Sequence, residues 1–309
     1  MIGSKVFGSF LALMLGAIAL GAGAGPVASP LQAETRETVW SEEPLVTGRS
    51  RFGFYGWSGP PLPIWAYVPS GIDRKTAPIM ILMHGAGRGA RRYLEEWVDH
   101  ADERGFIIVS PEFARHDFPS SRFYNRGGLF DEAGAPLNPE EEWAFSAIEP
   151  LFDAVVAQIG GSQTSYTMYG HSAGSQFVHR FMFLKPDARV SRFLLANAGW
   201  YTFPDVEQDY PYGLRDVPVS DESIQSVLEK DVVLLLGDRD TDTEHSSLNR
   251  SAPAMRQGEH RFARGQNFYA SARALAQQNG WAFNWSVRII EGVAHSNGGI
   301  ADGSFDLIE

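Results

Sequence analysis

The sequence predicts an α/β protein with a mostly parallel central sheet and helices on both of its faces. Two observations carry that expectation. From residue 63 onward, short apolar runs alternate with stretches of helical periodicity. Most of those runs are continuously apolar, as strands buried on both faces must be, and several end at glycines that open onto the next helix.

The elements follow in order. Residues 35–60 are mixed and turn-rich and read as a lead-in segment. "PIWAYVP" (63–69) alternates like an edge or second-tier strand, and "APIMILMHGAG" (77–87) is a buried strand running into a glycine turn. Tyr93, Leu94, Trp97, Val98 and Ala101 then recur at helical spacing up to Gly105, and "FIIVSP" (106–111) is the next buried strand. "WAFSAIEPLFDAVVAQIG" reads as a helix, "SYTMYG" as a strand and "AGSQFVHRFMFL" as a helix. "RFLLANAG" and "DVVLLLGD" are strands, "FYASARALAQQNG" a helix and "FNWSVRIIEG" a final strand. Two aromatic-bearing segments, about 112–142 and about 200–222, interrupt the alternation. In open α/β sheets such insertions tend to build the ligand crevice. No internal repeat or linker divides the chain, so residues 34–309 read as one domain.

Composition excludes several classes of function. A formal net charge of −11 repels phosphate backbones, so nucleic acid is not an expected partner. The absence of cysteine removes disulfides, thiolate nucleophiles and cysteine-ligated metals. Lys5, the apolar run "FLALMLGAIAL" and a small-residue stretch read as a secretory signal peptide over residues 1–33. "LQA" ending at Ala33 and "AGA" ending at Ala24 compete as cleavage sites. The mature protein is thus expected to be exported, periplasmic or secreted, with no stable membrane anchor.

"YGHSAG" carries the chemistry. Ser172 lies between Gly170 and Gly174 where a strand gives way to a helix, the position of a nucleophile elbow. Glycines there remove collisions with the adjacent strand and helix; the plain alternative is a tight turn with Ser172 capping the helix. A serine hydroxyl needs a base, and the base an acid, in the chain order serine, acid, histidine. His295, in "EGVAHSNGG" just past the last strand, suits the base. His179 lies on the elbow helix and points away, and His245 and His260 fall near where the acid belongs. For the acid, "GDRDTDTEH" offers Asp240, with Asp238 as runner-up. Its Asp-x-Asp-x-Asp start resembles a calcium loop, but Thr243 and Asn249 stand where that loop needs Gly and Glu, so no metal is expected. The backbone N–H groups of Ala173 and Ala86 are the candidate oxyanion donors, with His84 a structural residue of the "HGAG" loop. No nucleotide fingerprint is present and no cofactor is expected.

The "HGAG" loop, "YLEEWVDHADERGFIIVSPEF" and the "YGHSAG" elbow together resemble α/β-hydrolases, in particular secreted esterases related to polyhydroxybutyrate depolymerases and feruloyl esterases. The resemblance spans about residues 60 to 300. It implies a sheet of about eight strands and a serine-ester mechanism acting on a small-molecule or polymeric ester. Unlike those depolymerases, the chain has no cysteine and no separate substrate-binding module. A serine peptidase, acyl transfer to an alcohol, or a non-catalytic binding protein on the same fold are the alternatives. Arginines 250, 256, 261, 264 and 273 read as solvated partners of the acidic surplus.

Overall fold

The computed structural model describes residues 43–309. The predicted signal peptide and its cleavage sites lie outside the described residues. Eight strands form one sheet: β1 (Gly48–Phe54), β2 (Leu62–Val68), β3 (Ile79–Met83), β4 (Ile107–Pro111), β5 (Tyr166–His171), β6 (Val190–Ala196), β7 (Val232–Gly237) and β8 (Trp285–Ile290). Their spatial order is β1-β2-β4-β3-β5-β6-β7-β8. The β1–β2 and β2–β4 pairs are antiparallel; every later pair is parallel.

The strands are apolar throughout because they face two cores. Ile79, Ile81 and Met83 of β3 point to one core, while Met80 and Leu82 point to the other. Val232, Leu234 and Leu236 alternate in the same way with Val233 and Leu235 on β7. The larger core lies under α3 (Ile148–Ile159), α4 (Ala173–Leu184), α5 (Asp221–Leu228) and α7 (Arg261–Asn279). The smaller lies under α1 (Ala90–Glu95), α2 (Val98–Arg104) and α8 (Asn297–Asp302). Each large apolar side chain fully buried in either layer stabilises the fold by about 1.5–3 kcal/mol.

Several elements differ from the sequence reading. β1 lies inside the segment read as a turn-rich lead-in. It is an edge strand that buries only Ser50, Phe52 and Phe54, while Arg49 pairs with Glu95 at 2.8 Å and Arg51 lies over Trp65. The single helix expected before Gly105 is two, because the chain breaks at Glu96–Trp97 and drives the Trp97 ring into the core against Tyr169, 4.7 Å between centroids. The helix expected from Trp143 opens with a 3-10 turn, Ala144–Ala147, before α3. Helix α5 closes the second aromatic segment, started by a reciprocal cap in which Ser220 and Ser223 each bond the other's backbone N–H. Helix α6 (Ala252–Gln257) is an addition, with Pro253 in its first turn. Helix α7 starts at Arg261 rather than at Phe268.

Candidate active site

Strand β5 sits at the centre of the sheet and is buried along its whole length. It ends at Ser172, whose φ of 58° and ψ of −117° are strained for a residue with a Cβ, a conformation that costs about 1–3 kcal/mol and is held by its surroundings. The Ser172 N–H donates to the Ala196 carbonyl at 3.0 Å, and α4 begins at the next residue. The flanking glycines are required by contact. A Cβ at Gly174 would press into the Met83 carbonyl and lie 2.9 Å from that of His84; one at Gly170 would press into the Gly174 carbonyl and lie 2.7 Å from the Ser175 nitrogen. The turn is therefore tight enough to stand Ser172 out at the carboxyl edge of the parallel strands.

Three side chains from three connections meet there. His295 Nε2 lies 3.0 Å from Ser172 Oγ, and His295 Nδ1 lies 2.7 Å from Asp240 Oδ2. In the neutral imidazole, Nδ1–H donates to the carboxylate and Nε2 accepts from the serine hydroxyl. Asp240 is 2% exposed and His295 14%. Asp238 faces elsewhere: its Oδ1 accepts the Gly292 N–H at 2.7 Å and ties the β7 turn to the loop that carries His295. Asn197, at φ 40°, braces the same two loops, accepting from the Gly237 N–H at 2.9 Å and donating to the Ala294 carbonyl at 3.1 Å.

Ala173 opens α4, so its N–H is among the four that a helix leaves without an internal partner. Ala86 is exposed on the loop after β3, and Gly85 of that loop passes Ser172 so closely that a Cβ there would lie 3.7 Å from Ser172 Cβ. That loop is fixed from below. His84 is fully buried; its Nδ1 lies 3.1 Å from the Gly85 carbonyl and its Nε2 accepts the Phe113 N–H at 3.1 Å. Burial pushes its pKa down to about 3, so the ring is a neutral strut. Arg88, with φ 62°, donates to the carbonyls of Phe113, Phe118 and Ser120 and lies over the Tyr124 ring. Tyr124 in turn donates to the His84 carbonyl at 2.6 Å. Arg115 reaches back to the Ala86 carbonyl at 2.8 Å. An aromatic insertion thus shapes the loop opposite the serine.

The fold matches that of a known protein closely. The chain is 46% identical to poly(aspartic acid) hydrolase-1 from Sphingomonas sp. KT-1, over 85% of this chain and 99% of that one, with a TM-score of 0.83. The chain belongs to that α/β-hydrolase family. The hydrolase is also 29% identical to a poly(3-hydroxybutyrate) depolymerase from Bordetella parapertussis, over 85% of this chain and 90% of that one, TM-score 0.79. An S-formylglutathione hydrolase from Agrobacterium tumefaciens shares the fold at 14% identity, covering 85% and 94% of the two chains, TM-score 0.53. No protein-family profile matches the chain. No curated protein matches it either.

Other predicted residues of the hydrolase fall into place around this centre. His179 is buried on α4, its Nδ1 2.8 Å from the Ser175 carbonyl and its Nε2 accepting the Thr202 N–H at 3.0 Å. His260 caps α7 by accepting the Ala263 N–H. His245 lies on the acid loop with its ring 5.9 Å from that of His295. Among the described residues, no group of three or more His, Asp or Glu side chains is placed to hold a metal ion. No helix among them is long and apolar enough to cross a membrane.

The arginines correct the sequence reading. Arg261 and Arg264 are not solvated: they are 1% and 0% exposed. Arg264 donates to the carbonyls of Gly258, Gly199 and Asn249, and burial lowers its pKa to about 10. Arg261 contacts Asp240 itself. Sequence reasoning also passed over His171, Tyr93 and Asn197. His171 precedes the serine, is fully buried, and its ring lies 4.6 Å from that of His295. Tyr93 Oη meets His171 Nδ1 at 3.0 Å. Burial holds the His171 pKa well below the ordinary range, so it stays neutral beside His295. Only its adjacency to Ser172 could have signalled it.

Proposed function

We propose that this hydrolase is an exported serine hydrolase that cleaves carboxylic esters through an acyl-enzyme. The observation that carries the reading is the unbroken hydrogen-bond chain Ser172–His295–Asp240. His295 Nε2 takes the Ser172 proton as Oγ attacks the acyl carbon, and the carbonyl π electrons move onto the oxygen. The N–H groups of Ala173 and Ala86 face that oxyanion, helped by the positive end of the α4 dipole. Collapse of the intermediate expels the alkoxide, which collects the proton from His295. Water, activated by the same imidazole, then releases the acid and restores Ser172. Asp240 keeps the imidazole in the tautomer that accepts at Nε2 and stabilises its cation at each step. No cofactor takes part in this scheme. Export rests on Lys5 and the apolar run behind it.

A second reading keeps the machinery and changes the leaving group to an amine, cleaving amide links in an anionic polymer. Its support is the 46% identity to a poly(aspartic acid) hydrolase.

The test is turnover of a p-nitrophenyl ester series, acetate to octanoate, beside release of soluble fragments from poly(aspartic acid), by the mature protein and by Ser172→Ala. Loss of either activity by about 10⁴-fold or more in the variant supports the serine mechanism, and the active substrate separates the two readings. Equal activity in the variant overturns both.

A further inference from the structure

Arg261 stands on the far side of the acid from the base. Its side chain is 1% exposed, against 2% for Asp240. Its Nη1 donates to Asp240 Oδ1 at 3.2 Å, while the other carboxylate oxygen, Oδ2, faces His295. Its Nη2 donates to Ser247 Oγ at 2.9 Å and lies 3.3 Å from His245 Nδ1. The Arg261 Nε is buried with no hydrogen-bond partner among the described residues. Stability alone explains this poorly. A buried ion pair does little better than an apolar residue of similar size, and an unpaired buried N–H adds a further cost. What the guanidinium does provide is a fixed, charged contact to the one carboxylate that orients His295.

We propose that Arg261 is a positioning residue of the hydrolytic site, fixing which oxygen Asp240 turns to His295 and offsetting the pull of that carboxylate on the imidazole proton. The proposal rests on the reading of Ser172, His295 and Asp240 as the reacting residues. Two effects follow from the geometry. With Oδ1 tied to the guanidinium, the short Asp240 side chain cannot rotate its other oxygen away from Nδ1. The planar fork also spans Asp240 and Ser247 together, which a lysine ammonium could not do with the same geometry.

The second effect is one of charge. His295 must be neutral to accept the serine proton, yet a bare buried carboxylate beside it favours the imidazolium in the resting enzyme. The Arg261 cation behind the carboxylate opposes that pull. The remaining groups facing His295 do not supply this charge. Ser172 is uncharged, and His171, from the end of β5, is held neutral by burial. His245, from the acid loop, lies 5.9 Å away ring to ring. On the side of α8, Glu96 accepts from Asn297 Nδ2 at 2.6 Å and pairs with Arg92 at 3.0 Å.

The test measures kcat/KM against pH for p-nitrophenyl acetate, from about pH 4 to 9, in the wild type, Arg261→Gln and Arg261→Lys. Each preparation is normalised to the sites that a fluorophosphonate titrates. In the Gln variant the acid limb moves up by about half to one pH unit, and kcat/KM per titrated site at pH 7 falls about ten- to a hundred-fold. In the Lys variant the limb stays near the wild-type position while kcat falls, because charge is kept and the fork is lost. A Gln variant whose loss lies entirely in the fraction of titratable sites, with limb and per-site kcat/KM unchanged, overturns the proposal. If the Gln chain does not fold, a Lys variant with wild-type kcat/KM per site at every pH overturns it instead. A wild type that the fluorophosphonate does not label, or a Ser172→Ala chain with wild-type turnover, defeats the underlying triad reading and not the role of Arg261.

Discussion

Ser172 is held by backbone crowding where β5 and α4 meet the ends of β3 and β6, whereas Asp240 and His295 are held by side-chain hydrogen bonds drawn from across the fold. On the serine side, Gly170 and Gly174 let β5 and α4 meet at a turn whose backbone leaves Ser172 no other direction. On the acid–base side, the braces are Asn197 at the end of β6, Asp238 on Gly292, and Arg261 on α7. One half of the site is set by steric exclusion between a five-residue turn and the backbone beside it. The other is set by hydrogen bonds between residues tens of positions apart. Damage to the first half should therefore register as lost stability, and damage to the second as lost rate with the fold intact.

The largest expected effect is on the acid. Asp240→Asn keeps the shape but offers His295 Nδ1 either an amide N–H or an oxygen with weaker pull, so the imidazole loses its productive tautomer. The expectation is a fall in kcat of about 10³–10⁴-fold with little change in KM, read from initial rates. A fall of less than about ten-fold would remove Asp240 from the role.

Next comes Gly174→Ala, which places a methyl group against the Met83 carbonyl. The strand and helix must part to admit it. A loss of about 3 kcal/mol or more in denaturant unfolding is expected. Retention of wild-type stability would mean the elbow is looser than its contacts imply.

The buried histidines predict a smaller, graded effect. Burial lowers the pKa of His84 from 6.5 to about 3 and those of His171 and His179 well below 6.5. Below about pH 6.5 the unfolded chain takes up protons at these rings that the folded chain refuses. Their contribution is thus complete above that pH and is lost as pH falls toward the folded-state values, by about 1.4 kcal/mol per pH unit per histidine at most. Unfolding midpoints at pH 7 and 5 check the sign. Replacement of His179 by Gln should flatten the slope.

The smallest effect belongs to Asp238, at the start of the same loop. Asp238→Asn retains an Oδ1 acceptor for Gly292, so kcat is expected within about two-fold of wild type and stability within about 0.5 kcal/mol. A loss comparable to that of Asp240→Asn would erase the distinction between the two carboxylates.

The same contrast governs what could be read from the sequence. The central strands were legible because burial on both faces makes them continuously apolar, as in "IMILM" and "VVLLLG". The elbow was legible because its steric demand leaves a signature, Gly170-x-Ser172-x-Gly174, within five residues. Strand β1 was not, since an antiparallel edge buries only alternate residues and "GRSRFGF" places two arginines outward. Arg261 and Arg264 were read as solvated because local sequence carries no sign of burial. Most of their partners, Asp240, Gly199 and Asn249, lie 15 to 65 positions away and become neighbours only in the folded chain. The clamp of the 112–142 insertion on the "HGAG" loop was hidden for the same reason: it acts through Arg88, Tyr124 and carbonyls of distant residues.

The most direct test of the account is active-site labelling with a fluorophosphonate, located by mass spectrometry of the digested protein. One adduct per chain is expected, on Ser172, with labelling slowed about 10³-fold or more in His295→Gln. An adduct on another residue, no adduct at all, or wild-type labelling kinetics in the His295 variant would contradict it.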